Sequence, residues 1–215
     1  MAASGLSEPP SDCSKCERLV ELRQSLRQEH PAWHNAPVPS FGDPAAVLLI
    51  VGLAPGLQGA NRTGRPFTGD YAGDLLYQTL SKLGLSKGTY DSRPDDGLLL
   101  QGCMITNAVR CLPPQNKPVG AEITNCRPFL ENQIMGMAKV KAILALGKIA
   151  HDSVVRTLGS KLSHHKFAHA AVHHFDSGLT LVDSYHCSRY NTNTRRLTEA
   201  MFENAMAIAK DAAGL

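Results

Sequence analysis

The sequence predicts an α/β protein: a single three-layer α/β/α domain around a central, mostly parallel four-stranded sheet. Short apolar runs alternate with amphipathic helical patterns, which is typical of a parallel sheet covered by helices on both faces. The 215 residues, with 43% hydrophobic and 19% charged side chains, have the composition of one globular domain. The longest apolar runs are far too short to span a bilayer.

Four apolar runs are expected to form the strands of the sheet, at residues 46–52, 102–109, 140–146 and 179–184. Each run is followed directly by glycine or by polar residues. Because the carboxyl ends of parallel strands meet at one edge of a sheet, and ligands bind there, these loops predict a single cleft.

Helices are expected between the strands and at both ends of the chain. The first helix begins near Cys13 and ends at His30, because Pro31 disfavours the helical conformation in the residue before it. Residues 1–12 are rich in Ser and Pro and are expected to be disordered, so the folded domain spans 13–215. The remaining helices are expected at residues 72–83, 121–137, 148–158 and 194–210.

The charge pattern and the N-terminus limit the possible partners. No basic segment precedes an apolar core at the N-terminus, so we expect no signal peptide and a cytoplasmic, monomeric protein without membrane contact. A net charge of +3 identifies no partner. Arginines still cluster in two places, which fits either solvated surface charge or a duplex-binding face: Arg62, Arg65, Arg189, Arg195 and Arg196.

The loop after the first predicted strand, Gly52 to Asp70, is unusually rich in glycine. Four glycines fall within its first thirteen positions, which indicates positive φ angles or a close approach of backbone to a ligand. The loop lacks the Gly-Lys-Ser/Thr ending of a phosphate loop. We interpret it as a loop that holds a flat ring and a reacting bond, with Phe67 and Asp70 as its candidate side chains.

Four of the six cysteines are candidate metal ligands. Cys13 and Cys16 have CxxC spacing, while Cys111 and Cys126 lie in or beside a Pro-rich loop. Cysteines of an intracellular chain are more often ligands or core residues than disulfides. Four thiolates from two segments can enclose zinc or a 4Fe–4S cluster.

Histidine is concentrated in residues 161–176, at positions 164, 165, 169, 173 and 174. Such a cluster suggests zinc, but no carboxylate or cysteine accompanies it in this region. We therefore interpret these histidines as polar residues that face the surface or a duplex.

Several linked motifs resemble those of the family 5 uracil-DNA glycosylases, a bacterial and archaeal group. Residues 52–70 resemble the family's first motif, and residues 106–114 (Thr-Asn-Ala-Val-Arg-Cys-Leu-Pro-Pro) resemble its central strand and loop. Residues 186–191 (His-Cys-Ser-Arg-Tyr-Asn) resemble its second active-site motif. The four candidate cysteines match the ligands of the family's iron–sulfur cluster, so the resemblance implies a 4Fe–4S cofactor.

The resemblance implies a DNA repair enzyme that flips a deaminated base out of double- or single-stranded DNA and hydrolyses its glycosidic bond. Uracil is the expected substrate, with hypoxanthine, xanthine and ethenocytosine as further bases that this family often accepts. The reaction leaves an abasic site. No lysine stands out as a Schiff-base nucleophile, so the expected enzyme is monofunctional.

Excision requires a stacking ring and hydrogen-bond donors to the departing base, because that base becomes negatively charged. By resemblance, Phe67 stacks on the flipped base, although it could simply fill the core. Asn107 can pair with a uracil edge, or alternatively cap a loop. His186 can donate to a base oxygen. Gly52 and Ala54 are expected to line the same base site.

The catalytic carboxylate is less clearly marked. Related iron–sulfur families carry an acidic residue just after the first glycine of the first motif, where this chain has Leu53. Asp70 is the best remaining candidate to orient water or stabilise the sugar cation. Its alternative role is to cap the following helix. Asp74 is the second candidate for the catalytic role.

The segment after His186 is expected to contact DNA. It precedes a helix N-terminus, which can hold a phosphate, and it can enter the minor groove to fill the gap left by the flipped base. The expected DNA-binding residues are Arg62, Ser188, Arg189, Tyr190 and Asn191.

Two other functions stay open. A nucleic-acid-binding module that has lost catalysis would explain Leu53, and formation of an abasic site would separate it from an enzyme. A zinc-stabilised hydrolase using Asp70 and His186 would be distinguished by its metal content.

Overall fold

Residues 8–215, which a computed structural model of the chain describes, alternate strands with helices. The helices are α1 Glu17–Glu29, α2 Ala60–Thr63, α3 Tyr71–Lys82, α4 Gly120–Gly136, α5 Lys148–Thr157, α6 Arg189–Asn193 and α7 Glu199–Ala213. The strands are β1 Phe41–Gly42, β2 Leu48–Gly52, β3 Ser86–Lys87, β4 Leu99–Leu100, β5 Cys103–Asn107, β6 Ala142–Leu146, β7 Val172–His174 and β8 Thr180–Ser184.

The main sheet has the strand order β1-β5-β2-β6-β8-β7. Its four central strands are parallel and correspond to the four predicted strands. The expected number of strands was wrong, because β1 and β7 add antiparallel edges and make six. These edge strands have two and three residues, too few to produce an apolar run. A separate hairpin pairs β3 with β4.

Alternation along β2 produces the three layers. Leu48 and Ile50 belong to an apolar cluster that includes residues of α3 and α7. Leu49 and Val51 belong to a second cluster that includes residues of α4 and α5. Successive side chains of a strand point to opposite faces, so each face of the sheet is covered by its own pair of helices. The predicted α/β/α architecture is confirmed.

Two predicted helix boundaries differ from the structure. The first helix begins at Glu17 rather than near Cys13. The expected helix 194–210 is wrong at its start, because α6 and α7 are separate helices. Thr198 begins α7, since its side chain accepts a hydrogen bond from the Met201 amide.

The segment before α1 was expected to be disordered up to residue 12. Residues 1–7 lie outside the described residues, whereas Glu8 contacts the body of the domain. Its carboxylate accepts hydrogen bonds from the Ser40 amide at 3.0 Å and from the buried Arg110 guanidinium at 2.6 Å. Residues 8–12 therefore belong structurally with the domain. Among the described helices, none has the length and apolar character to cross a membrane.

Candidate active site

The main cavity opens at the carboxyl ends of the parallel strands and has a volume of about 420 Å³. Loops that follow β2, β5 and β8 form its walls, as predicted for this edge of the sheet. The structure brings these predicted residues to its lining: Ala54, Phe67, Asp70, Asn107, His186, Ser188 and Arg189.

Gly52 does not line the cavity but lies directly behind two residues that do. A Cβ atom at this position would collide with Asn107 Oδ1 and would lie 2.5 Å from Phe67 Cζ. Glycine is therefore required here because two side chains approach its backbone closely. Gly59 has the same relation to the Asp70 carboxylate.

Asn107 presents an unpaired acceptor at the cavity. Its residue is 2% exposed, and Oδ1 has no hydrogen-bond partner among the described residues. A buried acceptor without a partner costs about 1–3 kcal/mol. The described residues show no loop-capping hydrogen bond from this side chain, so its amide is available to a ligand.

Phe67 forms a wall of the cavity in a strained backbone conformation. Its φ angle is +54°, which is uncommon for a residue other than glycine. The ring is 7% exposed and stacks against the His186 ring, with centroids 6.0 Å apart and planes at 29°. Backbone strain of this kind persists only where the surroundings hold it.

The support for Phe67 is a buried ion pair, here called the Arg65–Asp96 clamp. Both guanidinium Nη atoms of Arg65 donate to the Asp96 carboxylate at 2.7 Å, and Arg65 Nε donates to Thr68 Oγ1 at 2.8 Å. Tyr90 Oη accepts from the Gly69 amide and donates to the Phe67 carbonyl. Arg65 is thus committed to the interior, and it is unavailable to DNA.

Asp70 satisfies both interpretations that the sequence left open. Its side chain caps α3 by accepting a hydrogen bond from the Gly73 amide at 3.1 Å, and it also lines the cavity. Burial raises the pKa of Asp70, and the Gly73 amide opposes this shift. Asp74 is exposed and lies outside the lining, so Asp70 is the better placed carboxylate.

His186 is a neutral imidazole at physiological pH, because burial lowers its pKa to about 4. Asn191 donates from Nδ2 to the His186 carbonyl at 2.8 Å and holds this segment in place. Cys187 points away from the cavity and contacts the Ala72 carbonyl through Sγ. The His186 ring thus faces the cavity as a hydrogen-bonding group without a formal charge.

The predicted DNA-binding residues separate into two groups. Ser188 caps α6 and lines the cavity with Arg189, whose guanidinium lies 5.3 Å from the centroid of the Tyr71 ring. Tyr190 is 72% exposed, and Arg62 lines a neighbouring surface cavity. Arg62, Tyr190 and Asn191 are not among the residues that line the main cavity.

Asn116 also lines the cavity, and sequence reasoning missed it. It lies in the Pro-rich loop after β5, where Gln115 and Asn116 have φ angles of +55° and +57°. The available signal was an asparagine, which tolerates positive φ, within a proline-rich segment that follows Asn107. Leu53 is part of the lining too, so the position expected to be acidic in related families is apolar here.

The four candidate cysteines line one small cavity between the start of α1, the loop after β5 and α4. Donors point at their sulfur atoms: the Arg110 amide lies 3.3 Å from Cys126 Sγ, and Asn125 Nδ2 lies 3.7 Å from Cys16 Sγ. Burial and neighbouring thiols raise the pKa of Cys111 to about 12. This donor set suits sulfur that carries negative charge when a metal group is bound.

The spacing of these sulfur atoms bears on the kind of metal group. Tetrahedral zinc, with Zn–S bonds of about 2.3 Å, brings its sulfur ligands to about 3.8 Å from one another. Among the described residues, no three cysteine sulfurs lie within 4.8 Å of one another. The arrangement is thus wider than a single zinc ion requires.

Comparisons with known proteins agree on one family. The family model described as "Uracil DNA glycosylase superfamily" matches residues 39–210. The chain is 44% identical to the type-5 uracil-DNA glycosylase of Thermus thermophilus, with 94% of each chain covered. It is 41% identical to the type-5 uracil-DNA glycosylase of Mycobacterium leprae, covering 95% of this chain and 93% of the relative. The corresponding Pyrobaculum aerophilum protein is 38% identical, with 94% and 89% covered.

Proposed function

Because this chain belongs to the type-5 branch of the uracil DNA glycosylase superfamily, we propose that it excises uracil from DNA and leaves an abasic site. The observation that carries the proposal is the cavity that joins Phe67, Asn107, His186 and Asp70 at one sheet edge. These residues supply a stacking ring, a base-pairing amide, a neutral donor and a carboxylate. They form the set that hydrolysis of a glycosidic bond requires.

Recognition of the base begins after the nucleotide has left the stack. Phe67 offers its ring face to the flipped base. Asn107 accepts the N3 hydrogen of uracil through Oδ1 and donates from Nδ2 to O4. Pairing with uracil removes the unpaired state of Oδ1, so binding recovers free energy that the unliganded protein gives up.

Bond cleavage places an electron pair on N1 of the departing uracil, and the oxygen of a water molecule forms the new bond to sugar C1′. The neutral His186 ring donates a hydrogen bond to a base oxygen as negative charge develops there. Asp70, when ionised, orients the water and stabilises the positive sugar. Leu53 supplies no charge, so stabilisation of the leaving base accounts for a large part of the rate.

The range of bases follows from the size of the cavity. A volume of about 420 Å³ exceeds the need of a single pyrimidine ring and lies within the range of sites for larger ligands. This supports acceptance of hypoxanthine, xanthine and ethenocytosine beside uracil. Excision assays with each base, compared on the same duplex, test this part of the proposal.

Contact with DNA involves both groups of predicted residues. Ser188 and Arg189 lie at the cavity mouth, where they meet the phosphates that flank the flipped nucleotide. The exposed Tyr190 enters the duplex beside them, and Arg62 and Asn191 extend the surface. We infer that the enzyme works as a monomer in the cytoplasm, on double-stranded and single-stranded DNA.

A 4Fe–4S cluster is the metal group that the cysteine site fits best. Cys13, Cys16, Cys111 and Cys126 would hold it, and their wide spacing favours a cluster over one zinc ion. The cluster supplies folding free energy by joining the start of α1 to the loop that follows Asn107. It takes no part in the chemical step.

The experiment for the function is a gel assay of a uracil-containing duplex, treated with alkali after incubation with the protein. Wild-type protein should give cleavage that depends on alkali. Asp70→Asn should lose most of that activity, and Asp74→Asn is the matched control that should keep it. Absence of abasic sites with uracil, hypoxanthine and xanthine substrates would instead identify a DNA-binding module.

The experiment for the cluster compares Cys111→Ala with Cys103→Ala. Cys103 is buried in β5 and does not line the cysteine cavity. We expect Cys111→Ala to be colourless, low in iron and poorly folded, and Cys103→Ala to keep the iron. A fully stable, iron-free Cys111→Ala protein would refute the structural role of the cluster.

A further inference from the structure

The histidine-rich region contains a site that the sequence hid, because its carboxylate comes from another strand. His173 on β7 lies 2.9 Å through Nε2 from Asp183 Oδ2 on β8. His151 on α5 lies 2.7 Å through Nδ1 from Asp183 Oδ1. The expectation that His173 faces the surface or a duplex is therefore wrong, and the carboxylate missing from residues 161–176 is Asp183.

We propose that His151, His173 and Asp183 form a second metal site, which binds one zinc-like divalent ion. One ligand atom from each residue lies within 4.8 Å of the other two, close enough to surround a single ion after small adjustments. Two imidazoles and one carboxylate are a frequent zinc ligand set, with water completing the coordination. The site is separate from the cysteine cavity and from the lining of the main cavity.

Neighbouring backbone groups already orient these ligands. His151 Nε2 lies 2.9 Å from the His165 carbonyl, so the N–H placed on Nε2 leaves the lone pair of Nδ1 directed at the site. The Ala168 amide donates to Asp183 Oδ2 at 3.4 Å. A ring N–H bonded to a backbone carbonyl, together with a hydrogen-bonded carboxylate, is the usual support of a metal centre.

Burial of the three groups favours an occupant with positive charge. The side chains of Asp183 and His151 are 0% and 1% exposed, so an ionised carboxylate here needs a cationic partner. A divalent ion supplies that partner and displaces the protons that the two ring nitrogens share with the carboxylate. The His173 side chain is 11% exposed, and its edge provides the entry path and the place for a water ligand.

The expected role of the ion is structural. It would connect α5 to β7 and β8, at the end of the sheet farthest from β1. Phe167 contacts the His151 ring on one side and the Tyr185 ring on the other, and Tyr185 immediately precedes His186. Metal occupancy would thus stabilise the support of the catalytic segment without contacting the base.

The test uses the full-length protein with its iron–sulfur cluster in place. The protein is incubated with one equivalent of zinc and desalted, and zinc and iron are counted by mass spectrometry. Wild type should retain about one zinc per chain, and His173→Gln should retain almost none. His174→Gln is the matched control, because His174 is exposed and adjacent on the same strand; it should retain the zinc with unchanged iron.

A cobalt spectrum separates this site from the cysteines. Cobalt at His151, His173 and Asp183 should give weak visible bands without thiolate charge transfer, and Asp183→Asn should lose them. If Asp183→Asn does not fold, the edge variant His173→Gln carries the same comparison. Wild-type protein that retains no more zinc than His173→Gln, or cobalt bands of thiolate type only, would overturn the proposal and show that protons alone join the three residues.

Discussion

Phe67 separates two regions of opposite character. On the cavity side, Asn107 Oδ1 has no partner within the described part of the chain, and His186 stays uncharged. Behind the ring, Arg65 and Asp96 use their hydrogen-bonding atoms on each other and on the backbone. The protein leaves hydrogen-bonding capacity open where a base enters, and uses it fully where the loop must be held.

The comparison also explains where the strain at the site is balanced. A positive φ angle at an aromatic residue costs on the order of 1–3 kcal/mol, and an unpaired buried acceptor costs a similar amount. The Arg65–Asp96 clamp and Tyr90 hold the strained loop through direct hydrogen bonds to residues 67–69. The site is therefore preorganised at the expense of stability, and the predictions below separate its two sides.

The largest effect is expected on the cavity side, from Asn107→Ala. Loss of the base-pairing amide should lower kcat/KM for uracil excision about 10²–10³-fold, as removal of a preorganised hydrogen-bonding group does. The melting temperature should stay the same or rise, since the variant removes an unpaired acceptor. The exposed Asn204→Ala in α7 is the control, and a large drop in melting temperature for Asn107→Ala would contradict the unpaired state.

The pH dependence of kcat/KM distinguishes Asp70 from His186. Burial raises the pKa of Asp70, so the ionised form accumulates only above that raised value and the rate should increase with pH through it. Below it, we expect a loss of about tenfold per pH unit. His186, with a pKa of about 4, is already neutral across this range and should add no inflection near 6.5. Asp70→Asn should abolish the acidic limb.

The clamp side should show an effect that acts only through the ring. Tyr90→Phe removes the hydroxyl that bonds the Phe67 carbonyl and the Gly69 amide, and should lower kcat/KM about tenfold by misplacing the ring. In a Phe67→Ala background the same change should have almost no further effect. Equal losses in both backgrounds would show that Tyr90 acts independently of Phe67.

The smallest effect is expected outside both regions, at the cavity mouth. Arg189→Ala should weaken DNA binding a few-fold and reduce the salt slope of the binding constant by about one, because one phosphate contact is lost. Lys87→Ala, on the separate β3–β4 hairpin, is the control and should leave the slope unchanged. A change in base preference with Arg189→Ala would place this residue inside the pocket instead.

The sequence predicted what depends on local pattern. Apolar runs located β2, β5, β6 and β8, and the polar residues after them located Asn107 and His186 at one edge. Residues that act through distant partners were not visible. The bond between Arg65 and Asp96 and the contact between His173 and Asp183 both depend on how strands and loops meet in the fold.

Short elements were missed for a related reason. The edge strand β1 has two residues, and its pairing with β5 is determined by the sheet rather than by its own composition. The division of the C-terminal helix depends on Thr198, whose capping role competes with a continuous helical pattern. Asp70 shows the opposite case, because one side chain fulfils both of the roles that the sequence allowed.

The most direct measurement is the amount of free uracil released from a duplex with a single uracil, counted together with abasic sites and strand breaks. The account predicts one free uracil for each abasic site, no strand break before alkali, and a 10²–10³-fold slower release by Asn107→Ala. Tight binding of the duplex without release of uracil would contradict it, as would equal release by the wild type and the variant.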